Sequence, residues 1–155
     1  MNVIITGGSG YIGTVLAKHL LLRNHKVTVI DNFWFGNYLK KQKNLKIIKE
    51  DIRNFDKLNI KNTHAIIHLA NIANDPSVEL NPTLSWEVNV LSLIDILNKC
   101  KKNKINQFIF SSSGSVYGIK REKKVTEDLD LLPISTYNKT KMAAERILLS
   151  YADNF

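Results

Sequence analysis

In STYNKTKMAAER (135–146), Tyr137 and Lys141 stand four positions apart, one turn if the segment is helical. A phenol ionises near pH 10, so a tyrosine that works as a base at neutrality needs about 4 kcal/mol of help. A lysine ammonium one turn away is the right kind of perturbation, because positive charge favours the phenolate. Taken alone, Tyr-x-x-x-Lys also describes an ordinary solvated helical pair. A second stretch, SSSGSVYG (111–118), has the same ambiguity: a polar turn, or a hydroxyl presented to a reacting oxygen.

The first glycine run narrows the choice. TGGSGYIG (6–13) follows a short apolar run and precedes a helical pattern. There a glycine-rich turn brings backbone N–H groups onto a pyrophosphate and the helix N-terminus adds partial positive charge. Gly8, Gly10 and Gly13 fit G-x-G-x-x-G, and Gly7, Gly10 and Gly13 fit the variant with a three-residue repeat. Asp31 ends the next apolar run, about 20 residues on, where a carboxylate accepts hydrogen bonds from an adenosine ribose. It would repel a 2′-phosphate and no Arg directly follows it, which favours NAD over NADP. Asp51 and Ile52 are read in two ways, as flanks of the adenine or as a turn acid with a buried neighbour.

The elements that position these residues alternate as β and α, the rhythm of a parallel sheet covered on both faces. Strands are predicted at 3–6, 26–31, 45–50, 65–70 and 107–111. A first helix over 11–23 places Ile12, Val15, Leu16 and Leu20 on one face. A long helix follows Asn81-Pro82, with Trp86, Val90, Leu93, Ile94 and Leu97 in its stripe, and a last helix spans about 135–151. The segment 114–133 reads as an irregular connector.

A chain of 155 residues suits one domain and hides roughly two-thirds of its unfolded surface. The composition, 44% hydrophobic and 23% charged, is that of a soluble globular protein and excludes disordered and fibrous classes. A formal charge of +8 raises nucleic acid as a partner, but the lysines are spread through connectors and helix ends, which reads as a solvated basic surface. No apolar run approaches the ~20 residues of a membrane span, and MNVIITGG does not read as a signal peptide. With Cys100 alone, no internal disulfide forms, and the expectation is a reducing cytoplasm. The four histidines form no metal-ligand pattern.

Taken together, TGGSGYIG, Asp31-Asn32, Asp51-Ile52, HLA (68–70), Asn89-Val90, SSSGSVYG and YNKTK (137–141) resemble the extended short-chain dehydrogenase/reductase family. Within it the likeness is to nucleotide-sugar epimerases and dehydratases of the UDP-glucose 4-epimerase type, over essentially the whole chain. The resemblance implies a Rossmann-type doubly wound α/β fold and NAD as cofactor. It makes Tyr137 the catalytic base, Lys141 its activator and a holder of the nicotinamide ribose, and Ser113 a hydrogen-bonding partner of the reacting sugar hydroxyl. Gly7, Gly10, Tyr11, Ile12, Gly13, Asp31, Asn32, Asp51 and Ile52 would bind the cofactor, Leu69 and Ala70 would line it, and Asn89 would support it. Phe33-Trp34-Phe35 departs from commoner members and is read as packing in a loop near the adenosine, with direct contact as the alternative.

Members that eliminate water commonly carry Asp and Glu in the two positions after the serine. Here Gly114 and Ser115 stand there, and neither is an acid or base at neutral pH. The implied reaction is therefore epimerisation of a nucleotide sugar, at C4, by hydride removal and return. Family members run to about twice this length, so the chain reads as the NAD-binding half (1–155), without the C-terminal strands and substrate lobe. An open edge at the fifth strand is then expected. Rival readings are a truncated or catalytically silent NAD-binding module, and a dehydratase or reductase of the same family. The resemblance also implies a homodimer through the helices at about 82–101 and 135–151.

Overall fold

A computed structural model describes residues 1–152; residues 153–155, the end of YADNF, lie outside the described residues. Five strands form one parallel sheet: β1 (Asn2–Thr6), β2 (Lys26–Asp31), β3 (Leu45–Lys49), β4 (Ala65–His68) and β5 (Gln107–Phe110), in the order β3-β2-β1-β4-β5. β1 lies at the centre, with Ile5 opposite Val29 on one side and Ile67 on the other. Its apolar run is continuous because both faces are covered. Val3, Ile5, Val27 and Val29 point towards α1 (Tyr11–Leu22), whereas Ile4, Ile30 and Ile66 point into the larger core on the opposite face. This is the doubly wound α/β arrangement.

Three expected strand ends are shorter: β3 stops at Lys49, β4 at His68 and β5 at Phe110. In each case the chain leaves the ladder to build the edge above the sheet. Asp51 accepts from Arg53 N and caps a 3₁₀ turn, Ile52–Lys57, that covers the larger core with Ile52 and Phe55.

The first helix differs from its expected stripe. Gly13 and Ala17 are its buried positions, flanked by half-buried Leu16 and Leu20, while Ile12 and Val15 are more than half exposed. Small residues bring the helix axis close to the sheet, and that approach turns Ile12 and Val15 outwards. The helix after Asn81-Pro82 forms as α3 (Pro82–Trp86), a π-helical segment (Glu87–Leu91) and α4 (Ser92–Lys102). Leu93 and Leu97 are fully buried and Val90 nearly so, but Trp86 faces solvent; Val88, Ile96 and Cys100 complete the inner face. A short helix, α2 (Asp75–Leu80), was not expected although it carries the same signals, a capping Asn74 and an early Pro76.

The final helix, α5 (Thr136–Ser150), is capped by Ser135 and packs with α4 against Phe108 and Phe110. β5 is a sheet edge among the described residues, with Ile109 exposed on the face opposite those two phenylalanines. The connector 114–133 opens with a 3₁₀ turn, Gly114–Tyr117. Because the strands are parallel, the loops after β1, β2, β4 and β5 all emerge at one edge, where open α/β sheets bind ligands.

Candidate active site

The turn after β1 is fixed by close backbone approach. Gly7 has φ +67°, and a Cβ there would stand 2.6 Å from Ala70 N. A Cβ on Gly13 would stand 2.5 Å from Gly8 Cα and 2.7 Å from Gly7 O. No side chain fits either contact without moving backbone, so the glycines give the turn its shape. Gly10 ends the turn as the N-cap of α1 without a capping side chain, and no acidic residue occupies the first helical turn. Unpaired N–H groups and the positive end of α1 therefore face an open edge.

Asp31 closes β2 beside this turn. Its Oδ2 accepts from Ser9 N at 2.9 Å and its Oδ1 from Phe33 N at 2.8 Å. Each oxygen keeps a lone pair, so the carboxylate is oriented but not exhausted. Phe33 sits at φ +63°, a left-handed conformation that this hydrogen bond helps to hold.

A cavity of about 870 Å³ runs along the edge. One end is lined by Gly7, Gly10, Tyr11, Ile12 and Gly13 with Asp31 and Asn32. Leu69 and Ala70 line the middle, and Ser111 and Ser112, just past the end of β5, line the other end with Tyr137 and Lys141 of α5. Asp51 and Ile52 also border it, but the Asp51 carboxylate is held by Arg53 at 3.0 Å, which lowers its pKa, and Ile52 is buried in the core. Arg53 in turn reaches Glu87 at 2.7 Å. Trp34, Phe35 and Tyr38 line the cavity with 54%, 83% and 74% exposure. The packing expected of Trp34 and Phe35 therefore does not occur.

Lys141 is buried, and its Nζ donates to Ser111 O at 2.8 Å. The same nitrogen lies 4.8 Å from the centre of the Phe110 ring and 6.0 Å from that of Tyr137. Burial pushes its pKa down to about 8, opposed by the negative charge of Glu145. Below, His68 Nδ1 and Thr6 Oγ1 are 2.8 Å apart, and burial, with Lys141 nearby, drives the imidazole pKa down to about 3. His68 is thus a neutral strand-end residue. Among the described residues no group of His, Cys, Asp and Glu is arranged to hold a metal.

Residues 3–155 match the NAD dependent epimerase/dehydratase family. The chain belongs to that family. It is 31% identical to a UDP-glucose 4-epimerase of Corynebacterium glutamicum, over 100% of this chain and 48% of that protein. Among solved structures, the UDP-N-acetylglucosamine 4-epimerase of Methanobrevibacter ruminantium, in complex with UDP-N-acetylmuramic acid, is 34% identical with a TM-score of 0.90. The match covers 98% of this chain and 50% of that one. The Thermus thermophilus UDP-glucose 4-epimerase in complex with NAD has a TM-score of 0.88 at 27% identity, covering 100% and 52%. The chain spans about half the length of the curated relatives it matches.

In this family member the three serines have separate tasks. Ser111 receives Lys141 through its carbonyl, and the Ser112 hydroxyl donates to the Glu145 carboxylate. Ser113 Oγ lies 2.7 Å from Ser115 Oγ and is not among the cavity-lining groups. Asn89 is also outside the lining. Its amide accepts from Ile72 N at 2.8 Å and donates to Ile72 O at 3.1 Å and to Thr140 Oγ1 at 3.2 Å, tying the loop after β4 to α5. Ser9, Asn71, Ser112 and Glu145 were missed in the sequence. Glu145 had a signal, four positions beyond Lys141 on the same helical face. Asn71 had none: it lines the cavity, and its Oδ1 is buried without a partner.

Proposed function

We propose that residues 1–155 form the NAD-binding and catalytic half of a nucleotide-sugar epimerase that inverts a hydroxyl-bearing carbon, most simply C4. The observation that carries this reading is one continuous cavity with the glycine turn and Asp31 at one end and Tyr137 with Lys141 at the other. Its volume suits a dinucleotide, and the cradle at Gly7 and Gly13 leaves no room for a Cβ.

In this reading Gly7, Gly10 and the start of α1 at Tyr11, Ile12 and Gly13 hold the pyrophosphate. Asp31 takes the adenosine ribose beside Asn32, Asp51 and Ile52; Leu69 and Ala70 line the dinucleotide, and Asn89 supports the loop behind them. NAD, when bound, supplies the hydride acceptor and donor. Tyr137 removes the proton from the sugar hydroxyl and returns one, and Lys141 stabilises the phenolate and holds the nicotinamide ribose. Ser113 exchanges its contact with Ser115 for the sugar hydroxyl. Gly114 and Ser115 offer no acid or base for elimination, which favours epimerisation over loss of water.

The same reading puts the protein in the reducing cytoplasm, in keeping with its buried lone Cys100. It also pairs two copies through the helices at about 82–101 and 135–151, whose exposed Trp86, Leu91 and Leu149 would gain cover.

Calorimetric titration of NAD into the chain is expected to show binding that Gly10→Val and Asp31→Ala each weaken at least ~10-fold, about 1.4 kcal/mol. No binding to the unsubstituted chain removes the reading. UDP-, dTDP-, GDP- and CDP-hexoses, followed by NMR, then separate inversion at the sugar carbon from dehydration.

A further inference from the structure

Two adjacent residues at the end of β5 grip two residues one turn apart on α5. Ser111 takes the Lys141 ammonium on its carbonyl oxygen, and Ser112 donates its hydroxyl proton to Glu145 Oε1. Lys141 and Glu145 are i and i+4 on one helix, so their side chains lie on the same face. Both serines and Lys141 border the cavity, whereas Glu145 does not. A carboxylate thus shares the helical face of the lysine, outside the cavity lining, and is held by a residue of the cavity wall.

We infer that Ser112 and Glu145 are positioning residues for Lys141, the hydroxyl pinning the carboxylate and the carboxylate keeping the buried ammonium charged against the Ser111 carbonyl. Its catalytic meaning rests on the reading of Lys141 given above; its electrostatic content does not. The groups facing Lys141 are few. Tyr137 and Glu145 come from its own helix, His68 from β4, and the Phe110 ring from β5. His68 is neutral, so Glu145 is the single anion that opposes the burial of Lys141 among these groups. With its pKa near 8, this lysine lies close enough to neutrality for the carboxylate to decide how much of it is charged.

The test is a pH titration of the whole chain carrying 13Cε-lysine, with the Lys141 resonance assigned by its loss in Lys141→Arg. Glu145→Gln is expected to lower the Lys141 midpoint by at least ~0.5 unit, about threefold in proton affinity. Ser112→Ala should lower it in the same direction by less, and Ser112→Thr, which keeps the hydroxyl, should restore it. NAD titrations across the same pH range should show affinity failing at lower pH in Glu145→Gln; a merely structural defect would weaken binding equally at every pH. A midpoint unchanged in Glu145→Gln overturns the inference, and if that variant does not fold, an unchanged midpoint in Ser112→Ala does so. Failure of the unsubstituted chain to bind NAD would remove the functional reading and leave the titration result standing.

Discussion

The turn after β1 and the turn after β5 border the same cavity, yet they are fixed by different forces. Gly7 and Gly13 hold their places because backbone atoms fill the space where a Cβ would go. From outside the turn, the Asp31 carboxylate on Ser9 N adds a single charged hydrogen bond. The serine turn is instead tied by side chains to α5: Ser111 O to Lys141, Ser112 to Glu145, and Ser115 Oγ to Asn138 Oδ1 at 2.5 Å. At its first glycine, Gly114, nothing lies within 4 Å of a built Cβ. One end of the cavity is therefore set by local sterics and the other by the docking of a helix that comes much later in the chain. Gly118 is where the serine turn borrows the first rule, with φ +68° and a Cβ position 2.1 Å from Leu132 O.

The largest effect is expected at the steric end. Gly13→Ala forces backbone apart at Gly7 and Gly8 and should cost about 3 kcal/mol or more, at the upper end of overpacking penalties. Urea unfolding measures it, and NAD affinity should fall with it. A cost under about 1 kcal/mol would mean that the first turn yields, and the contrast with the second would weaken.

His68 joins the two regions. Its ring meets Thr6, the residue before the glycine turn, and stacks on Phe110, the residue before the serines, with centroids 6.0 Å apart. Its pKa is about 3 when folded and has an ordinary value of 6.5, so between these values the unfolded chain binds the extra proton. Stability is then fully present above pH 6.5 and lost as pH falls below it, by about 1.4 kcal/mol per unit. Titration of carboxylates adds to the slope only below about pH 5. Measured from pH 6.5 to 5, the slope should appear in the unsubstituted chain and vanish in His68→Asn. A slope that survives the substitution would show that something else couples the two ends to acid.

This division of forces also explains what the sequence made legible. TGGSGYIG could be read because its constraint is local: every atom that forbids a Cβ at Gly13 lies within the run itself. The five strands and a parallel sheet covered on both faces followed from short apolar runs alternating with helical patterns, whereas the strand order did not. Ile12 and Val15 were misassigned because a helical wheel ranks residues by hydrophobicity, whereas α1 approaches the sheet through its smallest ones, Gly13 and Ala17. The tasks of Ser111 and Ser112 were hidden for a different reason: their partners stand 30 and 33 residues away, and only the docking of α5 pairs them. Trp34 and Phe35 were expected to pack because aromatic residues usually do, and the loop instead turns them towards the cavity.

A smaller effect tests the tethered end. Asn138→Ala removes the acceptor of Ser115 Oγ and should cost about 1 kcal/mol, the net worth of one hydrogen bond. Amide exchange should quicken in the Gly114–Tyr117 turn while the glycine turn keeps its protection. Equal quickening in both turns would mean that they are not separately held.

The smallest effect is the most discriminating. Gly114 has an open Cβ direction and no positive φ, so neither packing nor backbone conformation requires a glycine there. Gly114→Ala should change stability by less than about 0.5 kcal/mol, and a reduced unfolded-state entropy pushes the change towards stabilisation. The space also admits a larger residue, so the lack of an acid beside Ser113 is a chemical feature of this chain, not a steric necessity. Gly114→Asp should therefore fold with unchanged NAD affinity, checked by the same urea and calorimetric titrations. If Gly114→Ala instead costs more than about 1 kcal/mol, the serine turn is closed by sterics as tightly as the glycine turn. Its missing carboxylate would then say nothing about the reaction.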